Sequence, residues 1–565
     1  MKFTCYVLLI CAAAALAQPR TTPKPAVVEG KVVSTTTGEP LRKVELTLAS
    51  GGASDDIEAM MAMFGGDSDA PAEPKTPKAA KKTFAATTDA AGKFRFDQVE
   101  PGDYILSIKR AGYVDNVYKP EGKYFADGKL RLLAGDELTG VAIRLVPLGA
   151  LSGRLIDEDG DPVASAFVSA QSYNYASGRR RLMPADSQQT NDRGEFRLGK
   201  LRPGRYYLSA SPFGMNPLAE VPPPPKDGSP ETGYVSTYYP SATDATLATA
   251  IDVAAGADLA GFTIQLRKSK VVRIKGRVLA DDGTPLKTFQ VMLMSPGNPG
   301  SMHMKMVNNA EGRFEMANVQ PGSYTVTTMQ IGGSSPVIHM HPLVVPAEGL
   351  DNLQLGAQPE GNVQGSVVVS GEGKVALTGL RVMMAGGEDG MGAMPVFGSV
   401  SESGTFVLKK VAAAPYELSL QPLPAGTYLK SVQWGGRERL GQTLDFAAGF
   451  AGPLQIVLGT DGGTFEATVS REDKPAADAT VVLLAADPEG RIPETTQSGE
   501  SDSAGHVSLK DIAPGDYLAF AWEKVEEGQW LDAAFLKPLE NQAARVTIHS
   551  KGNEKAQLRL IPAGK

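Results

Sequence analysis

The side chains best suited to hold a soft metal lie in two short runs, Met302-His303-Met304-Lys305-Met306 and His339-Met340-His341. Thioethers with imidazoles suit copper, and His339 and His341 stand two apart, on one face of an extended strand. Methionine also fills cores, and this spacing is ordinary for a strand, so a structural role is the reading adopted. Asp157-Glu158-Asp159-Gly160-Asp161 offers oxygens to calcium. It has no bidentate Glu at a loop-defining distance and reads as a solvated turn. Gly194-Glu195-Phe196-Arg197-Leu198-Gly199-Lys200 imitates the start of a phosphate loop, yet Leu201 stands where Ser or Thr should hold magnesium. None of His303, His339, His341, His506 and His549 has Glu three residues on, and no Gly-x-Ser-x-Gly occurs. These readings predict no metal, no cofactor and no catalytic residue, so the chain is not expected to be an enzyme.

Aromatic side chains carry the better binding signal. Tyr173 and Tyr175 precede Arg179-Arg180-Arg181, and Tyr234, Tyr238 and Tyr239 follow a run of four prolines, Pro222 to Pro225. Tyrosines beside arginines stack on sugar rings or grip a protein partner. The alternative is that the rings cover a sheet edge while the arginines form a wet basic tip. The candidate ligand-binding residues are therefore Tyr173, Tyr175, Arg179, Tyr234, Tyr238 and Tyr239. Trp522 and Trp530 are read as anchors of the last domain's core.

The elements that position these residues recur. A turn glycine, an aromatic two residues on, and then Pro-Gly-x-Tyr appear as Gly92, Phe94 and Pro101 to Tyr104; as Gly194, Phe196 and Pro203 to Tyr206; and as Gly312, Phe314 and Pro321 to Tyr324. Gly404, Phe406 and a degenerate Ala413 to Tyr416 form a fourth copy, and Gly505, Val507 and Pro514 to Tyr517 a fifth. The glycine lies 12 residues before the tyrosine in all five, and successive glycines are 102, 118, 92 and 101 residues apart. Each copy is thus one small domain rather than a solenoid turn. Val44 to Leu48 alternates strictly, as do Tyr104, Leu106 and Ile108 with their neighbours, and period two means strands with one buried face. Short strands cut by Gly and Pro predict antiparallel β-sandwiches. The repeated tyrosine should sink its ring into the core and reach a backbone group with its hydroxyl. Helical pattern is confined to Ile57–Phe64 and Ala533–Ala544.

A chain of 565 residues exceeds one core. Its 56 Lys+Arg against 63 Asp+Glu give no electrostatic case for nucleic acid. Lys2, the apolar run Tyr6–Leu16 and Ala15-Leu16-Ala17 read as a secretory signal peptide ending at residue 17. Both cysteines, Cys5 and Cys11, fall within it, so the mature chain has no disulfide and each domain must stand on its own core.

Gly30, Gly38, Pro40, Leu41, Thr88, Asp89, Gly92, Phe94, Val99, Pro101, Gly102, Tyr104, Gly112 and Tyr113 together resemble the carboxypeptidase regulatory-like domain. The resemblance extends over nearly all of the mature chain, strongly in copies one to three and five and weakly in four. It implies transthyretin-like (prealbumin-like) sandwiches, related to collagen-adhesin B-type and starch-binding-like folds, in a bacterial secreted protein. It also admits Lys–Asn or Lys–Asp isopeptide bonds, although no triad is identified. The expected fold is all-β, a tandem array of about five antiparallel sandwiches. The expected layout is signal peptide 1–17, linker 18–26, and domains 27–148, 149–269, 270–357, 358–459 and 460–565, with a disordered insert at 51–82. The expected role is a non-catalytic periplasmic or extracellular binding scaffold whose partner is a polysaccharide or a cell-surface protein. The alternatives are carbohydrate binding through loop aromatics and, further off, a hydrolase with a cryptic site.

Overall fold

The computed structural model describes residues 24–50, 82–118, 125–126, 129–175, 180–211, 221–227, 229–295, 298–331, 337–386 and 393–563. The signal peptide, the helical stretch at 57–64, most of the insert at 51–82 and Arg179 lie outside the described residues. The described residues fall into two compact bodies, one up to Pro147 and one from Leu148 onward.

The chain is all-β and built from five sandwiches, each made of two sheets. In the first, the strand Ala26–Ser34 runs between Lys93–Val99 and Glu137–Leu145. The facing sheet sets Glu45–Ser50 between Thr83–Thr87 and Gly102–Lys109. Alternation decides the inside: Leu46, Leu48, Tyr104, Leu106 and Ile108 meet Val28, Val32, Phe94, Phe96, Val141 and Ile143 in one cluster.

The same plan recurs around the strands Gly149–Ile156, Val272–Val278, Glu360–Ser370 and Gly463–Arg471. In all five the first strand pairs antiparallel with the Gly-x-Phe (or Gly-x-Val) strand and parallel with the closing strand. The sandwiches are therefore antiparallel except for one parallel pair each, formed where the closing strand comes back from the second sheet to lie beside the first strand.

The turn chemistry explains the repeat. Asp89, Asn191, Asn309 and Asp502 each accept the main-chain N–H groups two and four residues on, which folds the chain back at Gly92, Gly194, Gly312 and Gly505. The hydroxyls of Tyr104, Tyr206, Tyr324 and Tyr517 each donate to the carbonyl four residues upstream at 2.7–2.9 Å. In the fourth copy Tyr416 accepts from the Ala412 N–H instead.

The fifth sandwich adds a layer. Thr480–Ala485 and Gly515–Trp522 are buried on both faces, which requires apolar runs rather than alternation. The outer face is covered by the short helical turns Gln529–Leu531, Ala533–Leu536 and Lys537–Gln542, where the sequence suggested a helix over 533–544. Trp522 and Trp530 are both buried in this second cluster. Among the described residues, no helix is long and apolar enough to cross a membrane.

Candidate functional site

The strand Phe167–Asn174 turns Val168 and Ala170 into the core of sandwich two. Ser169, Gln171 and Tyr173 therefore face the other way, as do Tyr207, Ser209 and Ser211 on the neighbouring strand Gly204–Ser211. An outward polar face should be wet. Here Ser169, Gln171, Ser209 and Ser211 are buried, as are Ser236, Thr237 and Tyr238. The strand Asn298–Asn308 of sandwich three passes close to Arg181–Gln189 and Gly204–Ser211. Several covered groups are left over. The Gln171 amide, the Ser236 hydroxyl and the Tyr238 hydroxyl are shut off from solvent with no hydrogen-bond partner, an arrangement that costs about 1–3 kcal/mol per group.

Beside this face, residues of sandwiches two and three line an open cleft of about 240 Å³. Tyr238, Thr243 and Asp244 form one wall, and Ser295, Gln320 and Ser323 the other. Asp244 Oδ1 accepts from the Thr246 N–H and hydroxyl, both at 2.8 Å, and these bonds hold its carboxyl below the usual range. Burial pushes the Tyr238 phenol upward, with smaller contributions from Tyr173 and the Asp244 charge. Tyr173 is also raised by burial first, against the Arg180 charge, and Asp244 bears on it as well.

The other candidate residues are placed as follows. The Arg180 guanidinium lies 3.6 Å over the Tyr173 ring, whose edge meets Tyr207 at 5.1 Å. Tyr175 is buried and pushed up to about 12. Its carbonyl lies close to Gly528 of sandwich five, where a methyl group would come within 2.9 Å of it. Tyr239 packs edge-on against Phe262 at 5.4 Å, and Lys268 caps the half-buried Tyr234 at 4.8 Å. Arg179 lies outside the described residues. Sequence reasoning missed Asp244, Ser295, Gln320 and Ser323. Nothing in their spacing marks them, because they meet only through the docking of two sandwiches.

The metal candidates are spent locally. Asp157 Oδ1 accepts from the Asp159 and Asp161 N–H groups at 3.0 and 2.9 Å, and Glu158 pairs with Lys268 at 3.4 Å. His303 is buried opposite Leu293; His339 meets Asp281 at 3.1 Å; His341 Nδ1 accepts from Gln358 at 2.9 Å. Among the described residues, no three His, Cys, Asp or Glu side chains are grouped to hold a metal ion. Glu195 to Leu201 is the strand that the repeat required, not a phosphate loop.

The class defined by these observations is a tandem β-sandwich protein with a polar cleft between its second and third sandwiches. Residues 150–232 match the carboxypeptidase regulatory-like domain, so the chain carries that domain as its second sandwich. It is 24% identical over 257 residues to Colossin-A of Dictyostelium discoideum, a match covering 43% of this chain and 2% of that protein's length. Among solved structures it overlaps the minor pilin GBS52 of Streptococcus agalactiae (15% identity, 43% of this chain, 96% of that one, TM-score 0.20). It also overlaps the major pilin subunit BcpA of Bacillus cereus (12%, 73%, 99%, TM-score 0.15).

Proposed function

We propose that the chain is a non-catalytic, exported binding scaffold, holding an extracellular polysaccharide or a cell-surface protein in the periplasm or outside the cell. One observation carries the reading. The polar groups of the repeated motif are consumed by their own backbone, the tyrosine hydroxyls on carbonyls and the Asp and Asn side chains on turn N–H groups, in sandwich after sandwich. Such groups build a frame and leave no reactive atom. Where sandwiches two and three meet, a cleft gathers Thr243, Asp244, Ser295, Gln320 and Ser323 beside Tyr238 and Tyr324. That location favours the carbohydrate reading, because sugars are recognised by hydroxyl, amide and carboxylate groups next to aromatic rings.

The test is to apply the purified mature chain to a glycan array and to isolated cell envelopes, alongside peptidase and glycosidase panels. Retention on a glycan or envelope without turnover is expected, and Tyr173→Ala should weaken glycan retention where Tyr234→Ala leaves it. Turnover of any substrate in the panels would overturn the non-catalytic reading. Retention on envelopes that survives complete removal of their polysaccharide would assign the partner as a protein.

A further inference from the structure

We propose that the outer face of sandwich three's second sheet seats a soft monovalent metal ion, Cu(I), on the thioethers of Met292, Met294, Met302 and Met304. The seat is independent of the glycan reading.

Cross-strand register builds it. The strand Thr288–Ser295 turns Phe289, Val291 and Leu293 into the core of sandwich three, so Gln290, Met292 and Met294 point outward. On the neighbouring strand Asn298–Asn308, Met304 stands directly opposite Met292, and Met302 directly opposite Met294. Directly opposed Cβ atoms lie about 4.5–5.5 Å apart, and residues two apart along a strand about 7 Å. The four methionines thus occupy the corners of one block. Each arm has three rotatable bonds, enough for the sulfurs to meet over its centre. Met306 continues the same face, and Met329 and Met340 lie on it in the next two strands, Gly322–Gln330 and Ile338–Val345.

Packing alone does not call for these side chains. An outward sheet face is ordinarily polar, and the matching strand of sandwich one, Glu45–Ser50, turns out Glu45, Thr47 and Ala49. Where a strand does need apolar surface, β-branched and aromatic residues suit it better than methionine. The four methionines are half-buried rather than sealed, so each keeps surface in contact with solvent. The sulfur of Met304 already acts as an acceptor, since the outward Gln290 amide donates to its Sδ. A thioether is a weak acceptor, and a metal ion would displace that neutral donor.

The donor set selects the ion. Thioethers are soft and uncharged and suit Cu(I), whereas calcium and magnesium take oxygens and zinc takes thiolate, imidazole or carboxylate. The described residues include no cysteine, so methionine sulfur is their soft donor. The imidazoles are engaged elsewhere: His303 faces the core from between Met302 and Met304, and His339 and His341 are bonded to Asp281 and Gln358.

The experiment uses the full mature chain without oxygen. Cu(I) is offered as its bicinchoninate complex, Ag(I) serves as a redox-inert stand-in, and Zn(II) is the control. Transfer of one equivalent of Cu(I) is expected, with Zn(II) left unbound at this face. Met292→Leu and Met304→Leu should each weaken binding at least tenfold, and the double variant should lose it. Met183→Leu, at an exposed methionine of sandwich two, should change nothing. Leucine conserves volume, so melting temperatures should stay within a few degrees of the parent. Should the double variant melt lower, Met294→Leu with Met302→Leu, the other opposed pair, gives the same readout. A thioether carries no proton to release, so Ag(I) affinity should be equal at pH 7 and pH 5. A tenfold fall over that range, or binding lost in His339→Gln with His341→Gln, would assign the ion to histidine and overturn the proposal. Binding that both methionine pairs can lose without effect would overturn it, and so would failure of both Cu(I) and Ag(I) to bind.

Discussion

Gly153 faces Phe196 across the antiparallel pair of sandwich two, and the same partners recur as Gly30 with Phe94, Gly276 with Phe314, and Gly365 with Phe406. A Cβ on Gly153 would lie 1.9 Å from the Phe262 carbonyl and 2.9 Å from the Phe196 ring. The glycine therefore lets the parallel strand close in and the ring lie across the backbone. The fifth sandwich supplies the control: Ala467 replaces glycine there, and its partner is Val507 rather than Phe. Gly153→Ala should cost about 3 kcal/mol, read as a lowered urea midpoint. Phe196→Val leaves a gap and should cost about 1–2 kcal/mol alone. The double variant should cost less than the sum, because the smaller side chain vacates the space the methyl needs. Strict additivity would mean that the carbonyl alone sets the clash. The spacing of these residues was plain in the sequence, and so was the burial of the repeated tyrosine, since both follow from local period and turn chemistry. The pairing of Gly with Phe was not, because it depends on cross-strand register.

Between elements, the boundary of sandwiches two and three is held by a charged group that the sequence did not single out. The Arg273 side chain is 11% exposed and lies 2.6 Å from Glu231, 2.8 Å from Glu315 and 2.7 Å from the Pro222 carbonyl. Glu231 and Pro222 belong to the long connection of sandwich two, and Arg273 opens the first strand of sandwich three. Removing the guanidinium leaves two carboxylates and a carbonyl facing each other. Arg273→Met should cost about 2 kcal/mol, less than the roughly 3–5 kcal/mol of a fully buried pair because Glu315 is 38% exposed. It should also open the Pro222–Glu231 segment to protease before either sandwich is cut. Arg273→Lys should fall between the two, since an ammonium cannot reach three acceptors in one plane. Unchanged cleavage in the Met variant would show that the prolines, not the ion pairs, hold this segment. The same boundary explains why the site was only half legible. Period two told which side of its own sheet Ser169, Gln171 and Tyr173 occupy. It could not tell that this side would be buried as well, and the alternation reads identically for a wet face and a covered one.

At the scale of the molecule, all five histidines belong to the body that begins at Leu148, and the body ending at Pro147 has none. Burial lowers His303 to about 4, and His341 is lowered as well, by burial and then by the nearby His339. A histidine whose folded value lies below its unfolded value of about 6.5 binds its proton more readily in the unfolded chain. At pH 7 both states are neutral and nothing is lost. As pH falls from 6.5 toward 4, stability drops by up to about 1.4 kcal/mol per unit for such a group, or about 3 kcal/mol in total for His303. Carboxylates held low in the folded chain add their losses only in the lower part of that range, whereas Glu494 and Glu526, raised by burial, work in the opposite direction. The comparison with His303→Gln between pH 6.5 and 5 is therefore what isolates the histidine. Over that interval the urea midpoint of residues 148–565 should fall, while that of residues 24–147, which close their own core, should hold nearly level. His303→Gln should flatten much of the slope in the larger fragment, leaving the part due to His341. Parallel slopes in the two fragments, or a slope that His303→Gln leaves untouched, would mean that His303 is protonated within the folded sandwich and that its buried, neutral state is not what acid disturbs.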